Sequence, residues 1–170
     1  TFLRLGIGHI LDGTDHILFV LSLLLAFVSI RKMLKLTLAF TVAHSTTLIL
    51  AGSGLITLSS GIVEPIIALS ISYVALTTVF LKNTKYQKLV GETVPIVFLF
   101  GLFHGLGFAG LLSEIQIPQP RFVESLLFFN VGIELGQILI ILLALPLIYG
   151  FKDASWYPKA IKALGILFGA

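Results

Sequence analysis

Apolar residues run along this chain in long stretches, and most charged residues lie at the boundaries between the stretches. About 20 consecutive apolar residues are enough to cross a membrane as a helix. By that measure the sequence predicts five complete spans and a sixth, incomplete one that begins at Pro158. The complete spans are predicted at about 5–30, 36–52, 64–81, 93–113 and 124–150. We therefore expect an all-α fold, a polytopic membrane helical bundle of about six transmembrane helices, as a single integral membrane domain over 1–170.

The composition supports a membrane protein and excludes several classes of soluble protein. Hydrophobic residues make up 57% of the chain and charged residues 11%, whereas about a quarter of the residues in a soluble domain are charged. A secreted globule, a cytosolic enzyme and a nucleic-acid binder are therefore excluded. The chain has no cysteine, which excludes a disulfide framework and any thiolate metal site. The expected surroundings are a lipid bilayer, with no nucleic acid.

The basic residues predict an orientation. Of the 11 Lys and Arg residues, nine follow the first, third and fifth spans: Arg31, Lys32, Lys35, Lys82, Lys85, Lys88, Lys152, Lys159 and Lys162. The positive-inside rule then places those connections in the cytoplasm and the N-terminus on the outer side of the membrane. The expected location is the cell membrane, that is, the inner or plasma membrane. Because the chain begins with Thr1, we expect an upstream segment such as a signal peptide, and the short sixth segment suggests trimming. Assembly into homo-oligomers stays open.

Ionisable side chains lie inside the predicted spans, where they are costly. Each such group costs about 2.5–3.5 kcal/mol at the centre of a membrane helix, so each needs a partner. They are four histidines and three carboxylates: His9, His16, His44, His104, Asp12, Asp15 and Glu134. Taken singly, His44 or Glu134 could be a structural residue hydrogen-bonded to a neighbour. Seven of them together favour a functional cluster.

Helical spacing predicts that these groups converge. On a continuous helix with about 100° per residue, His9, Asp12 and His16 lie within about 60° of one another. Small residues beside His104 allow close helix approach in the fourth span. Polar residues share a face on the second span (Thr37, Thr41, His44, Ser45), the third (Ser70, Tyr73, Thr77) and the fifth (Asn130, Glu134, Gln137). We expect all of these stripes to point inward.

Imidazole and carboxylate ligands without sulfur suit Ni(II), Co(II), Zn(II) or Mn(II) better than Cu(I). Two anions close to the imidazoles, such as Asp15 and Glu134, would neutralise a divalent cation in a low-dielectric environment. The sequence therefore predicts that the bound ion is a divalent transition metal.

Four segments resemble the HupE/UreJ family of hydrogenase and urease accessory proteins. His9-Ile-Leu-Asp-Gly-Thr-Asp15-His16 fits its H-x5-D-H motif, and Phe103-His104-Gly105 resembles the start of its second motif, F-H-G-x-[AV]-H-G-x-E. The segments 41–45 and 129–137 resemble its second, more divergent branch. Where the first branch has Ala or Val, His and Glu, this chain has Gly107, Phe108 and Leu111. The resemblance implies a nickel or cobalt permease, often made with a signal peptide.

The leading hypothesis is a permease for nickel or cobalt, with zinc a further candidate, that takes the ion from outside. The expected metal ligands are His9, Asp15 and His16 at the outer mouth and His44, His104 and Glu134 near the midplane. Residues expected to support these ligands are Asp12, Ser45, Asn130 and Gln137. The sequence carries no ATP-binding motif, so the membrane potential or the metal gradient would drive flux.

Two other functions stay open. An intramembrane zinc-dependent hydrolase could use the same cluster, with water activated by the metal and Glu134 or Asp15 as general base. No H-E-x-x-H signature occurs, so we do not expect an enzyme. A metal-binding sensor or assembly subunit without flux is the third hypothesis.

Overall fold

The computed structural model describes residues 1–26, 29–80, 93–114 and 121–169, with side chains over 1–25, 29–77, 94–108 and 121–169. These residues form helices and no strand, so the predicted all-α fold is confirmed. The predicted basic connection with Lys82, Lys85 and Lys88 lies outside the described residues. The helices are α1 Phe2–Asp12, α2 Thr14–Ala26, α3 Ile30–Gly52, α4 Ser60–Phe80, α5 Thr93–Glu114, α6 Phe122–Phe151 and α7 Tyr157–Gly169.

The first predicted span is two helices, which corrects the prediction of a continuous one. The chain breaks at Gly13, whose backbone is extended, and α1 and α2 meet at a bend of 69°. Asp, Gly and Thr follow one another at 12–14, and all three are poor helix formers. His9 therefore lies in the last turn of α1, whereas Asp15 and His16 lie in the first turn of α2.

The described helices differ in how far they meet the length and hydropathy of a full membrane span. α3, α4 and α6 are long and apolar enough to cross a membrane, and α1 with α2 makes a fourth if the bent pair is one span. α5 has 22 residues, and the part of it whose side chains are described, Val94–Phe108, is apolar. The sequence predicts five complete spans, and among the described residues three helices, or four with the bent pair, meet the length and hydropathy of a span.

The third span also begins earlier than predicted. α4 starts at Ser60, about one turn before the predicted start at about 64. The backbone N–H groups of Ile62 and Val63 bond to the Ser59 carbonyl and build this additional turn. Pro65 is consequently inside the helix, beyond its first turn.

Glycines bring two helix pairs into close contact around the centre of the bundle. On α1 and α6, a Cβ on Gly6 would collide with the Phe129 carbonyl, and one on Gly132 with the Leu3 carbonyl. On α5 and α3, a Cβ on Gly101 would lie 2.6 Å from the Phe40 carbonyl oxygen. Close approach of backbones through small residues is typical of membrane helices. The predicted close packing near His104 is thus confirmed at Gly101.

Candidate metal centre

The four histidines of the chain lie together, although they come from four helices. The His9 and His16 ring centroids are 4.5 Å apart, and the His44 ring lies 5.7 Å from His9 and 5.9 Å from His16. The His104 ring is 5.3 Å from that of His16. Asp15 joins them, with its Oδ1 3.2 Å from Nδ1 of His16. We call these five residues the imidazole cluster.

The cluster is buried and can offer donor atoms to an ion. His16, His44 and His104 are at most 3% exposed. One donor atom each from Asp15, His16 and His104 lie within 4.8 Å of one another. In the described part of the chain, the buried ring nitrogens without a hydrogen-bond partner are Nε2 of His9, Nε2 of His16, both of His44 and Nδ1 of His104. A buried polar atom without a partner is costly, and an ion at this position would satisfy several of them.

Hydrogen bonds assign which nitrogen of His104 is available. The Ser70 hydroxyl donates its single hydrogen to the Ile67 carbonyl, 2.6 Å away. Nε2 of His104, 3.1 Å from the same hydroxyl oxygen, must therefore be the donor of that contact. A neutral imidazole has one N–H, so Nδ1 of His104 keeps its lone pair. Nδ1 is also the atom left without a partner.

The same reasoning applies to His16. An ionised carboxylate only accepts hydrogen bonds, so Nδ1–H of His16 donates to Asp15 Oδ1 and Nε2 keeps its lone pair. A carboxylate behind a histidine is a common arrangement in metal sites, where it fixes the orientation of the ligating ring. Asp15 also lies in the first turn of α2, where the positive end of the helix dipole stabilises an anion.

Gly13 allows this geometry because it leaves room beside the cluster. A Cβ at Gly13 would lie 2.8 Å from Nδ1 of His16 and 3.2 Å from Oδ1 of Asp15. A broken helix beside an ion site is a recurring feature of transporters, because its chain ends supply free backbone groups. The break therefore positions His9 and His16 in a way that a continuous helix could not.

An open pocket reaches the cluster from one side. It has a volume of about 510 Å³ and is lined by Thr1, Arg4, Leu5, Gly8, His9, Asp12 and Phe108. Asp12 is exposed at the end of α1 and belongs to this pocket. Phe108 occupies the position at which the family motif has its second histidine. The centroid of its ring lies 4.1 Å from that of the His9 ring.

On the opposite side, phenylalanines cover the cluster one helical turn from a histidine. Phe19 follows His16 on α2, Phe40 precedes His44 on α3, and Phe100 precedes His104 on α5. We call these three the phenylalanine layer. The Phe40 ring is 5.0 Å from both the Phe19 and His104 rings, and Phe19 and Phe100 are 6.3 Å apart. Phe19 and Phe40 are 1% exposed.

The remaining predicted residues lie in other contacts. Glu134 accepts hydrogen bonds from Thr37 at 3.2 Å and Thr41 at 2.8 Å, and Thr41 also contacts Gln137. Ser45 donates to the Thr41 carbonyl of its own helix. Oδ1 of Asn130 is buried without a partner among the described residues. The predicted midplane set is thus divided, with His44 and His104 in the imidazole cluster and Glu134 in a network of oxygen atoms.

The inward stripe predicted on the third span is confirmed at Ser70 and wrong at Tyr73, and the phenylalanine layer was not predicted. Ser70 was expected on an inward stripe with Tyr73, yet Tyr73 is 48% exposed and only Ser70 of that pair is buried. Phenylalanine is common in the core and on the lipid-facing surface of membrane helices, so the residue type alone does not predict the phenylalanine layer. Its signal in the sequence was a phenylalanine three or four residues from three of the histidines.

Comparison with known proteins agrees with the motifs. The family model described as HupE / UreJ protein matches residues 1–170, the whole chain. Neither a curated protein nor a solved structure matches this chain. The family resemblance carried by the four sequence segments is therefore confirmed.

Proposed function

Because the chain belongs to the HupE/UreJ family, we propose that it is a membrane permease for a divalent transition-metal ion, nickel or cobalt. The observation that carries the proposal is the imidazole cluster with its buried, unpartnered ring nitrogens. The proposed ligands are His9, Asp15, His16, His44 and His104. Imidazole nitrogens suit nickel, cobalt and zinc, and Asp15 supplies negative charge in a low-dielectric site.

The proposed path starts at the pocket beside α1. A hydrated ion enters between Arg4, Asp12 and Phe108 and first meets His9, which borders the pocket. It exchanges water for ring nitrogens as it moves to His16, His44 and His104. With the N-terminus outside, as the basic connections predict, the phenylalanine layer covers the cytoplasmic side of the cluster.

Flux in proteoliposomes distinguishes this function from the two alternatives. Purified protein is reconstituted, nickel or cobalt is added outside, and the metal trapped inside is measured by elemental analysis. We expect accumulation with the wild-type protein and none with His16→Ala, while Thr46→Ala, an exposed position on α3, behaves as wild type. Bound metal without accumulation would favour a sensor or assembly subunit, and metal-dependent turnover of a lipid or peptide ester would favour a hydrolase.

A second prediction concerns Ser70, which contacts His104 but is not a proposed ligand. Ser70→Ala removes the hydroxyl that accepts Nε2–H of His104, so the ring loses its fixed orientation. Loss of such a supporting hydrogen bond weakens metal binding about 10–100-fold. Isothermal titration with nickel or cobalt measures the change, and Ser72→Ala on the same helix is the matched control. Equal affinities for Ser70→Ala and wild type would show that the ring needs no such support.

A further inference from the structure

Two stripes of polar residues lead away from the imidazole cluster, one on α3 and one on α6. On each helix three polar side chains follow one another at intervals of three or four residues: His44, Thr41 and Thr37 on α3, and Asn130, Glu134 and Gln137 on α6. This spacing places side chains on one face of a helix. The α6 stripe begins at the level of the cluster, because Asn130 follows Phe129, whose ring centroid lies 5.6 Å from that of His9. Both stripes therefore start at the cluster.

Hydrogen bonds join the two stripes beyond the cluster. The Thr37 hydroxyl lies 3.2 Å from Oε1 of Glu134, and the Thr41 hydroxyl lies 2.8 Å from Oε2. The Thr41 hydroxyl is also 3.2 Å from Oε1 of Gln137, and Thr37 and Gln137 are each 1% exposed. We call these four residues the oxygen network. Carboxyl and amide oxygens are common ligands of divalent cations, so the network can offer ligand atoms to an ion.

The oxygen network differs from the imidazole cluster in how far its polar atoms already have partners. The cluster contains buried ring nitrogens without a hydrogen-bond partner, whereas each side chain of the network contacts another side chain of the network. An ion that enters the network must replace hydrogen bonds, so it should bind more weakly there. The ligand types act in the same direction, because imidazole suits nickel better than carboxyl and carbonyl oxygens do.

The oxygen network lies beside the phenylalanine layer at the same depth. Phe40 belongs to that layer, and Thr41, its neighbour in the chain, belongs to the network. The aromatic rings offer an ion no lone pair in place of water, and a buried charge without such compensation is costly. Thr37 lies about two turns after Ile30, where α3 begins, and the positive-inside rule places that end of α3 in the cytoplasm. The network thus leads toward the cytoplasm around the layer that covers the cluster.

Asn130 lies between the cluster and the oxygen network. Its Oδ1 is buried and has no hydrogen-bond partner among the described residues. Asn130 precedes Glu134 by about one turn on the same face of α6. A buried acceptor is costly to leave unsatisfied, and a passing ion would satisfy it. Asn130 therefore provides a ligand for the step from the imidazole nitrogens to the network.

We propose that the oxygen network is a second, weaker site for a divalent metal ion, and that the ion leaves the imidazole cluster past Asn130 to this site, between α3 and α6. Glu134 is the central ligand, because both of its carboxyl oxygens contact the α3 stripe. A conducting path must bind an ion tightly enough to admit it and weakly enough to release it, and the change from nitrogen to oxygen ligands provides the release. The direction of movement rests on the proposed function, whereas binding of an ion at the oxygen network does not.

Manganese tests the oxygen network without a transport assay. Mn(II) suits carboxyl and carbonyl oxygens, and its electron paramagnetic resonance signal measures the unbound ion during a titration of the purified protein. His16→Ala is the background, because it weakens binding at the imidazole cluster. We expect His16→Ala to bind Mn(II) weakly and the double variant with Glu134→Gln to lose that binding. Glu124→Gln on the same background removes an exposed acid from the same helix and should leave the binding unchanged.

Nickel binding and nickel uptake separate the two sites. Glu134→Gln should bind nickel at the cluster with wild-type affinity in isothermal titration, yet its uptake into proteoliposomes should fall by about 10-fold or more, as expected when a group that supports a metal site is lost. Thr41→Val is a second variant if Glu134→Gln does not fold, and Thr41→Ser, which keeps the hydroxyl, should restore uptake. A merely structural defect would lower binding and uptake together, whereas a defect on the exit path lowers uptake alone.

Three results would overturn the proposal. Equal Mn(II) binding with and without Glu134→Gln would show that no ion binds at the oxygen network. Loss of nickel binding in Glu134→Gln would show that Glu134 belongs to the same site as the imidazoles. Normal uptake by both Glu134→Gln and Thr41→Val would place the exit elsewhere. If the wild type does not transport nickel but its Mn(II) binding depends on Glu134, the proposed function and the exit path are rejected while the second site stands.

Discussion

His104→Ala and His16→Ala are expected to lose bound metal, each by a factor on the order of 100 or more. Loss of a supporting hydrogen bond alone costs about 10–100-fold in affinity, and removing a ligand atom should cost more. The two side chains bring donor atoms from α5 and α2 to within 4.8 Å of each other and of Asp15. When one of the two histidines is removed, the ion has one ligand fewer.

Elemental analysis of the purified variants, after growth with mixed trace metals, measures this loss and also identifies the metal. Thr46→Ala is the matched control, because Thr46 is exposed and its hydroxyl bonds to its own helix. Size-exclusion profiles and helix content check that the histidine variants are folded. If both alanine variants carry as much metal as the wild type, the imidazole cluster is not the binding site.

The second large effect is expected from one added methyl group at Gly105. A Cβ at this position would collide with the His44 carbonyl and the Thr47 hydroxyl of α3. That hydroxyl also donates to the Leu102 carbonyl of α5 at 2.8 Å, so it cannot move without losing an interhelical bond. In an unconstrained helix, alanine in place of glycine is stabilising by about 0.5–1 kcal/mol. Here overpacking should destabilise the protein by about 1–3 kcal/mol.

Unfolding in mild detergent compares Gly105→Ala with Gly150→Ala, since a Cβ at Gly150 meets nothing within 4 Å. We expect a lower midpoint for Gly105→Ala and an unchanged or higher one for Gly150→Ala. Metal binding should fall with Gly105→Ala as well, because α3 and α5 carry His44 and His104. A Gly105→Ala protein as stable as wild type would mean that the two helices are less closely packed than described.

Patterns along the chain determined the fold class and which residues belong to the centre. Long apolar stretches predict helices in a membrane, because a backbone in lipid must satisfy its own hydrogen bonds. The cost of ionisable groups at membrane depth identified seven residues, and the structure brings five of them together, the four histidines and Asp15. Both inferences depend on local sequence and on solvent, so no tertiary information was needed.

Only the tertiary structure decided how those residues are arranged. The sequence did not predict the break at Gly13, because a helix pattern analysed with one period cannot show a change of direction. As a result of this break, Asp12 lies in the pocket and not in the imidazole cluster. Ser70 and the phenylalanine layer act through contacts with other helices, and their residue types are equally typical of ordinary packing. Glu134 points to Thr37 and Thr41 and not to an imidazole, since its partners depend on how α6 is rotated against α3. Helix rotation and bend angle arise from packing across the bundle, and this is the information that a single sequence lacks.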